Sequence, residues 1–263
     1  MAGPLYKKIL IKSFKGGVFR QQEDEVVVES YLTIVLNGVE ILTLQMTPHL
    51  EKELATGFLV GEGFIEKYQD VREFRLTVDR RVIEIITREE QPPDLTRMGR
   101  RVLASGCGRG FSHLGIKQRE RIQELSPGPE YEAELFPRLM EGLEKAGNIF
   151  SLTGGTHAAA VADARQGIIF ACEDIGRHNA VDKVLGWVHQ QGMAFKDKIL
   201  ICSGRISAEM VGKALVPGVP VILSRSAPTT AGVEQAREFN LTLIGFCRGG
   251  RFNLYAGEGR VKF

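Results

Sequence analysis

The sequence has no surplus of charge of either sign: 34 lysines and arginines stand against 32 aspartates and glutamates, leaving a net +2. Such a balance supplies no general attraction to nucleic acid or membrane, so any anion site has to be local. Long apolar runs are missing as well; nothing approaches the roughly 20 residues that a membrane-spanning helix needs. The opening MAGPLYKKILIKSFKGG carries lysines but neither the apolar core nor the small-residue cleavage site of a secretory leader, and a cytoplasmic protein is expected. Cysteine is scarce. Cys107, Cys172, Cys202 and Cys247 lie far apart, form no CxxC pair and match no structural zinc spacing, and a reducing compartment keeps them as thiols. The P-loop signature is absent, which removes that route to nucleotide hydrolysis.

What is present is ordinary globular composition, 43% hydrophobic and 25% charged over 263 residues, enough for one large domain or two modest ones. Val26–Glu29 and Tyr31–Leu36 are rich in strand formers, and Asn37-Gly38 is a strong hairpin turn with Val39–Met46 as the return strand. Thr47-Pro48 suits the start of a helix, with Thr47 as cap and Pro48 in the first turn. Val71–Val78 and Val82–Thr87 read as strands, and Glu89–Asp94 as a surface loop. Arg97–Ser112 is basic and glycine-rich, and Ser126–Gly128 marks a boundary before a helix near Glu132–Ala146. After it, the strands Ala158–Asp163, Gly167–Glu173, Lys198–Cys202, Pro220–Ser224 and Leu241–Phe246 are interspersed with the helices Asn179–Gln190, Ser207–Leu215 and Thr230–Phe239. Alternation of that kind predicts a mainly parallel sheet covered on both faces.

Three strand-to-helix junctions in this second half, EDIGRHNAVDK, CSGRISAEM and SRSAPTTAG, each hold small residues and an arginine: Arg177, Arg205 and Arg225. Free backbone N–H groups at helix starts suit anions, and ligands of open α/β sheets sit beyond the carboxyl ends of the strands. A phosphorylated ligand held among Arg177, His178, Arg205 and Ser207 is expected; the alternative is that Ser207, Asn179 and Thr230 merely cap helices. A fourth basic element, Phe246-Cys247-Arg248-Gly249-Gly250-Arg251, sets two arginine forks across two glycines, a geometry suited to phosphate. Cys107 lies between glycines beside Arg109, with Arg100 and Arg101 upstream. Positive charge favours thiolate, so Cys107 is the candidate nucleophile. The other cysteines sit in apolar strand-like runs typical of inert buried thiols, although Cys247 adjoins Arg248.

In order along the chain, ESYLTIVLNG, MTPHLEKELATGFLVGEGFI, TGGTHAAAVAD, EDIGRHNAVDKVLG, SGRISAEMVGKAL, SRSAPTTAGVEQA and GFCRGGRFNLYAG resemble the FdhD family over roughly residues 25 to 257. The resemblance implies a sulfurtransferase that assists formate dehydrogenase. It would accept sulfur from a cysteine desulfurase as a persulfide and pass it to the molybdenum (or tungsten) bis-guanine-dinucleotide cofactor. It also implies a homodimer, with the persulfide on Cys107 and cofactor contacts at Phe246–Arg251. The expected fold is α/β (α+β overall), with a smaller β-rich amino-terminal lobe over residues 1–128 and a three-layer cytidine-deaminase-like domain over 129–263. Many members of the family carry a second cysteine where this chain has Gly110. Disulfide exchange within the loop is therefore excluded, while single-thiol transfer stays possible. The rival reading is a non-catalytic chaperone that binds and delivers the cofactor. Zinc deamination is excluded, because His157 is followed by Ala158 and Ala159 and no PCxxC exists.

Overall fold

The computed structural model describes residues 4–66, 68–77, 79, 81–95 and 122–262. The chain opens with a two-stranded antiparallel ribbon, β1 (Tyr6–Lys15) and β2 (Val18–Val27), turned at Gly16-Gly17. Next comes a four-stranded sheet of β3 (Ser30–Leu36), β4 (Val39–Met46), β5 (Val71–Thr77) and β6 (Val82–Thr87), in the order β4-β3-β6-β5. Asn37 and Gly38 both take positive φ, 48° and 78°, the paired left-handed geometry that suits a two-residue hairpin. Helix α1 (Glu51–Gly61) covers this sheet. Leu54, Ala55, Phe58 and Leu59 pack onto Leu32, Ile34, Ile83 and Ile85, the strand residues that alternate onto one face.

The second sheet has six strands in the order β13-β12-β11-β10-β8-β9. They are β8 (His157–Asp163), β9 (Gly167–Asp174), β10 (Ile199–Cys202), β11 (Val221–Ser224), β12 (Thr242–Arg248) and β13 (Arg251–Ala256). Strand alternation sorts its two faces. Ile199, Ile201, Val221 and Leu223 turn to helix α2 (Leu135–Ala146), which presents Phe136, Leu139, Met140 and Leu143. Leu200, Cys202 and Ile222 turn to the other side, where α4 (Arg177–Gln190), α5 (Ala208–Leu215) and α6 (Thr230–Glu238) pack. The result is three layers. A short helix α3 (Asn148–Thr153) precedes β8, and a parallel pair, β7 (Tyr131–Glu132) with β14 (Val261–Lys262), sits to one side.

Two expectations need correction. The second sheet is mixed: only β10, β11 and β12 run mutually parallel, while β8, β9 and β13 pair antiparallel with their neighbours. The short connections β8–β9 and β12–β13 are hairpins, and a hairpin joins antiparallel strands only. Thr47 does not cap α1, which begins at Glu51. The Thr47 backbone N–H donates to Asp174 Oδ2 (3.1 Å), and Thr47 Oγ1 accepts from the Ile175 N–H (3.1 Å). A long-range partner outcompetes the local cap.

The two sheets meet where α1 crosses α4. A methyl group on Gly57 would lie 1.7 Å from the Asp182 carbonyl oxygen, and one on Gly186 would lie 1.9 Å from the Glu53 carbonyl oxygen, so the two backbones touch. Buried charges surround the crossing. Lys183 Nζ lies 2.6 Å from Asp174 Oδ2, and Lys213 Nζ lies 2.8 Å from Asp182 Oδ1 and 3.7 Å from Glu62 Oε1. Among the described residues no helix is long and apolar enough to cross a membrane.

Candidate functional site

The register of the second sheet places the ends of β9, β10, β11 and β12 on one edge, together with the start of β8. His157 is opposite Asp174, Ala159 opposite Cys202, and Cys202 opposite Ser224. The amino termini of α4, α5 and α6 follow directly. The three junctions singled out in the sequence therefore share one edge, and two of them are bonded together. Ile206 N–H donates to Ala227 O (3.1 Å), Thr229 N–H to Ile206 O (2.9 Å), and Ser224 Oγ–H to Gly204 O (2.7 Å). Phe246 N–H then donates to Ser226 O (3.0 Å), which adds the β12 end. These bonds make a floor whose shape does not depend on a ligand.

On that floor lies a polar cluster. The Arg177 side chain runs over Gly204, where an added methyl would meet it at 2.9 Å. Arg177 Nε is buried and has no hydrogen-bond partner. His157 Nδ1 is 3.3 Å from Ser203 Oγ, which also accepts from the Ala158 N–H (3.0 Å). His178 Nε2 lies 3.4 Å from Glu209 Oε2. Burial, then the nearby charges of Lys213 and Arg177, pushes His178 down to about 3, so its imidazole is neutral at physiological pH. Burial and Arg177 likewise hold His157 below its ordinary value. Burial pushes Glu209 up to about 7, with Lys213 opposing and Glu62 and Asp182 reinforcing. Burial alone would lower Lys213, but Asp182, Glu62 and Glu209 together hold it above its ordinary range. A buried guanidinium N–H left unmatched is an unfavourable arrangement, about 1–3 kcal/mol, that an oxyanion in reach would relieve.

The sequence-predicted residues fall into different roles. Arg177 and His178 belong to the cluster. Arg205 is exposed at the same edge. The Ser207 hydroxyl caps α5 by accepting from the Met210 N–H (3.4 Å), and Thr229, rather than Thr230, caps α6. Asn179 caps nothing. Its amide donates to Gln45 O (2.6 Å) and to Asp174 Oδ1 (2.8 Å). Arg225 is drawn away to α2, with Nε 2.9 Å from Glu144 Oε1. Phe246 to Arg251 form the β12–β13 turn. Gly249 and Gly250 have φ of 58° and 74°, Phe246 itself has φ 52°, and Arg248 and Arg251 face each other exposed across the turn. The Arg248 guanidinium stands over the Phe246 ring at 5.9 Å. Cys247 is fully buried against the α2 side, so only its backbone is available to a ligand.

Cys172, Cys202 and Cys247 are all buried, and burial pushes their thiols up to about 12, 11 and 12. They remain protonated and shielded at neutral pH. Cys107, with Arg100, Arg101, Arg109 and Gly110, lies outside the described residues. The sequence reading missed Ser203, Asp174 and Glu209. The one signal for such groups was charge inside an apolar helical run, as with Asp182-Lys183 in HNAVDKVLG.

Comparison with known proteins is consistent with this architecture. Residues 27–262 match the FdhD/NarQ family. A sulfur carrier protein FdhD of Bacillus pumilus is 36% identical over 260 residues, covering 97% of each chain. One from Geobacillus kaustophilus is 35% identical over 261 residues, covering 99% of each. A solved structure of a candidate formate dehydrogenase accessory protein from Desulfotalea psychrophila superposes with a TM-score of 0.80 at 23% identity. It covers 98% of this chain and all of that one, a likeness of fold.

Proposed function

The chain belongs to the FdhD/NarQ family, and from that premise we propose that it is a sulfur carrier that activates formate dehydrogenase. The Cys107 thiolate attacks the outer sulfur of a cysteine desulfurase persulfide. A new S–S bond forms on Cys107 as the donor S–S bond breaks, and the donor leaves as a thiol, with no net change of oxidation. The outer sulfur then passes to the molybdenum (or tungsten) bis-guanine-dinucleotide cofactor, the substrate, before that cofactor enters formate dehydrogenase: its bond to Cys107 breaks, Cys107 leaves as thiolate, and the cofactor's metal in its reduced state supplies the two electrons that take the sulfur to sulfide. In this reading residues 1–128 present the thiol and residues 129–263 hold the cofactor in the cytoplasm. The nucleotide phosphates lie near Arg177, with Arg205, Arg248 and Arg251 at the rim.

The observation that carries the thiol assignment is the burial of the other three cysteines, each with its pKa raised well above neutrality. For the phosphate side it is the unmatched Arg177 Nε beneath the sheet edge. The test is intact-protein mass spectrometry after incubation with a cysteine desulfurase and cysteine. Wild type is expected to gain one sulfur atom that a reductant removes, and Cys107→Ser to gain none. Equal sulfur loading of both proteins overturns the assignment. Formate dehydrogenase activation retained by Cys107→Ser replaces sulfur transfer with the chaperone reading, which Gly110 in the place of a second loop cysteine favours.

A further inference from the structure

Asp174 ends β9 and is fully buried. Both of its oxygens are committed within the protein. Oδ1 accepts from the Gly176 N–H (2.8 Å) and from Asn179 Nδ2 (2.8 Å), while Oδ2 accepts from the Thr47 N–H (3.1 Å) and lies 2.6 Å from Lys183 Nζ. These donors fill the roughly four lone-pair sites of a carboxylate, so Asp174 has no capacity left for a ligand. Beside it, Thr47 Oγ1 accepts from the Ile175 N–H (3.1 Å), and Lys183 Nζ donates to the Thr47 and Glu173 carbonyl oxygens, both at 3.3 Å. The backbone of residues 174 to 176 is thus pinned immediately before Arg177, the first residue of α4. Ser207 and Thr229 cap α5 and α6, whereas no side chain caps α4. Asp174 takes the N–H of Gly176, one residue short of the helix, and leaves the N–H groups of the first turn to face the sheet edge.

We propose that Asp174 is a positioning residue for the phosphate site, holding Arg177 where its unmatched Nε meets the anion, and that Thr47 from the end of the first sheet completes the hold. The inference rests on the phosphate reading of that edge given above. Two clamps act on the same residue. Behind Arg177, Asp174 fixes the main chain; beneath it, the side-chain stem lies on Gly204, where an added methyl would meet Arg177 Cβ at 2.9 Å and Cδ at 3.0 Å. An arginine held in this way loses less freedom when it binds than one free to rotate, and that difference goes into affinity. The hold also adds no net negative charge against a phosphate, because the buried Lys183 neutralises Asp174. Gln45 O, at the end of β4, accepts from Asn179 Nδ2 (2.6 Å) and ties the same turn to the first sheet a second time. The site is then assembled from both halves of the chain, and the half that carries the candidate thiol also shapes the phosphate contact.

The test is calorimetric titration of the full-length protein with guanosine diphosphate, which carries the nucleotide and phosphates of the proposed substrate. Asp174→Asn would strand the buried Lys183 charge and endanger folding, so the substitutions fall on Thr47. Thr47→Val keeps the shape and the backbone N–H but loses the acceptor for Ile175. It is expected to raise the dissociation constant about tenfold, as a small misplacement of a binding group does, at a temperature where its far-UV circular dichroism matches wild type. Thr47→Ser keeps the hydroxyl and is expected to bind like wild type. On an Arg177→Met background, where Arg205, Arg248 and Arg251 retain residual binding, Thr47→Val is expected to have no further effect, because the group it positions is gone. Thr47→Val that binds like wild type overturns the positioning role. So does Thr47→Ser that binds no better than Thr47→Val, and so does an equal loss on the Arg177→Met background, which would mark general loosening. Wild type that binds no guanosine diphosphate overturns the phosphate site itself, and this inference with it.

Discussion

Glu209 and His178 face each other at 3.4 Å, and burial disfavours the charged form of both, with opposite consequences for pH. Glu209 titrates near 7 in the folded protein instead of near 4.5, so the folded state carries the extra proton between those values. Its contribution to stability therefore falls as pH rises from 4.5 to 7. His178 titrates near 3 instead of 6.5, so the unfolded state carries the extra proton, and stability falls as pH drops below 6.5. Glu209→Gln should gain on wild type between pH 4.5 and 8, by about 3 kcal/mol at most, in urea titrations at the two pH values. A constant difference between the two proteins would show that Glu209 is ionised throughout. The sequence made Arg177 and His178 legible because they stand in a strand-to-helix junction with glycine before them. It could not show that Arg225 turns to Glu144 and away from the edge, since nothing local records the partner on α2.

The crossing of α1 on α4 is the element with the least tolerance. Gly57→Ala drives a methyl into the Asp182 carbonyl, backbone against backbone, so no side-chain rotation relieves it. The expected loss is about 3 kcal/mol or more, read from the urea midpoint. Gly63→Ala, with open space around it and φ 71°, should lose only about 1 kcal/mol. Elements with purely local signals were readable in the sequence. The β3–β4 hairpin follows from Asn37-Gly38, and β5 and β6 end within a residue of expectation. Elements defined by distant partners were not. Thr47 looks like a helix cap until Asp174 claims it, and the direction of β8, β9 and β13 depends on hairpin closure rather than on composition. The β1–β2 ribbon stayed hidden because its lysines dilute the alternation that marks a half-buried strand.

At the scale of the molecule, the Gly57–Gly186 crossing and the Thr47–Asp174–Lys183 network join the two sheets through buried contacts. Unfolding in urea is therefore expected to be a single transition. The one tryptophan, Trp187, stacks on Phe170 at 4.6 Å and reports on the second sheet, while far-UV circular dichroism reports on both. Coincident midpoints are expected, and an earlier far-UV transition would show that the first sheet melts alone. The same crossing bears on how the chain is made. Thr47 and Asp174 are 127 positions apart, and synthesis adds roughly 5–20 residues per second, so the face of α1 that carries Gly57 emerges many seconds before its cover exists. During that interval the nascent chain presents a buried helix surface with nothing to close it. Exposure of that surface until Asp182 and Gly186 have been made leaves the chain open to aggregation during synthesis.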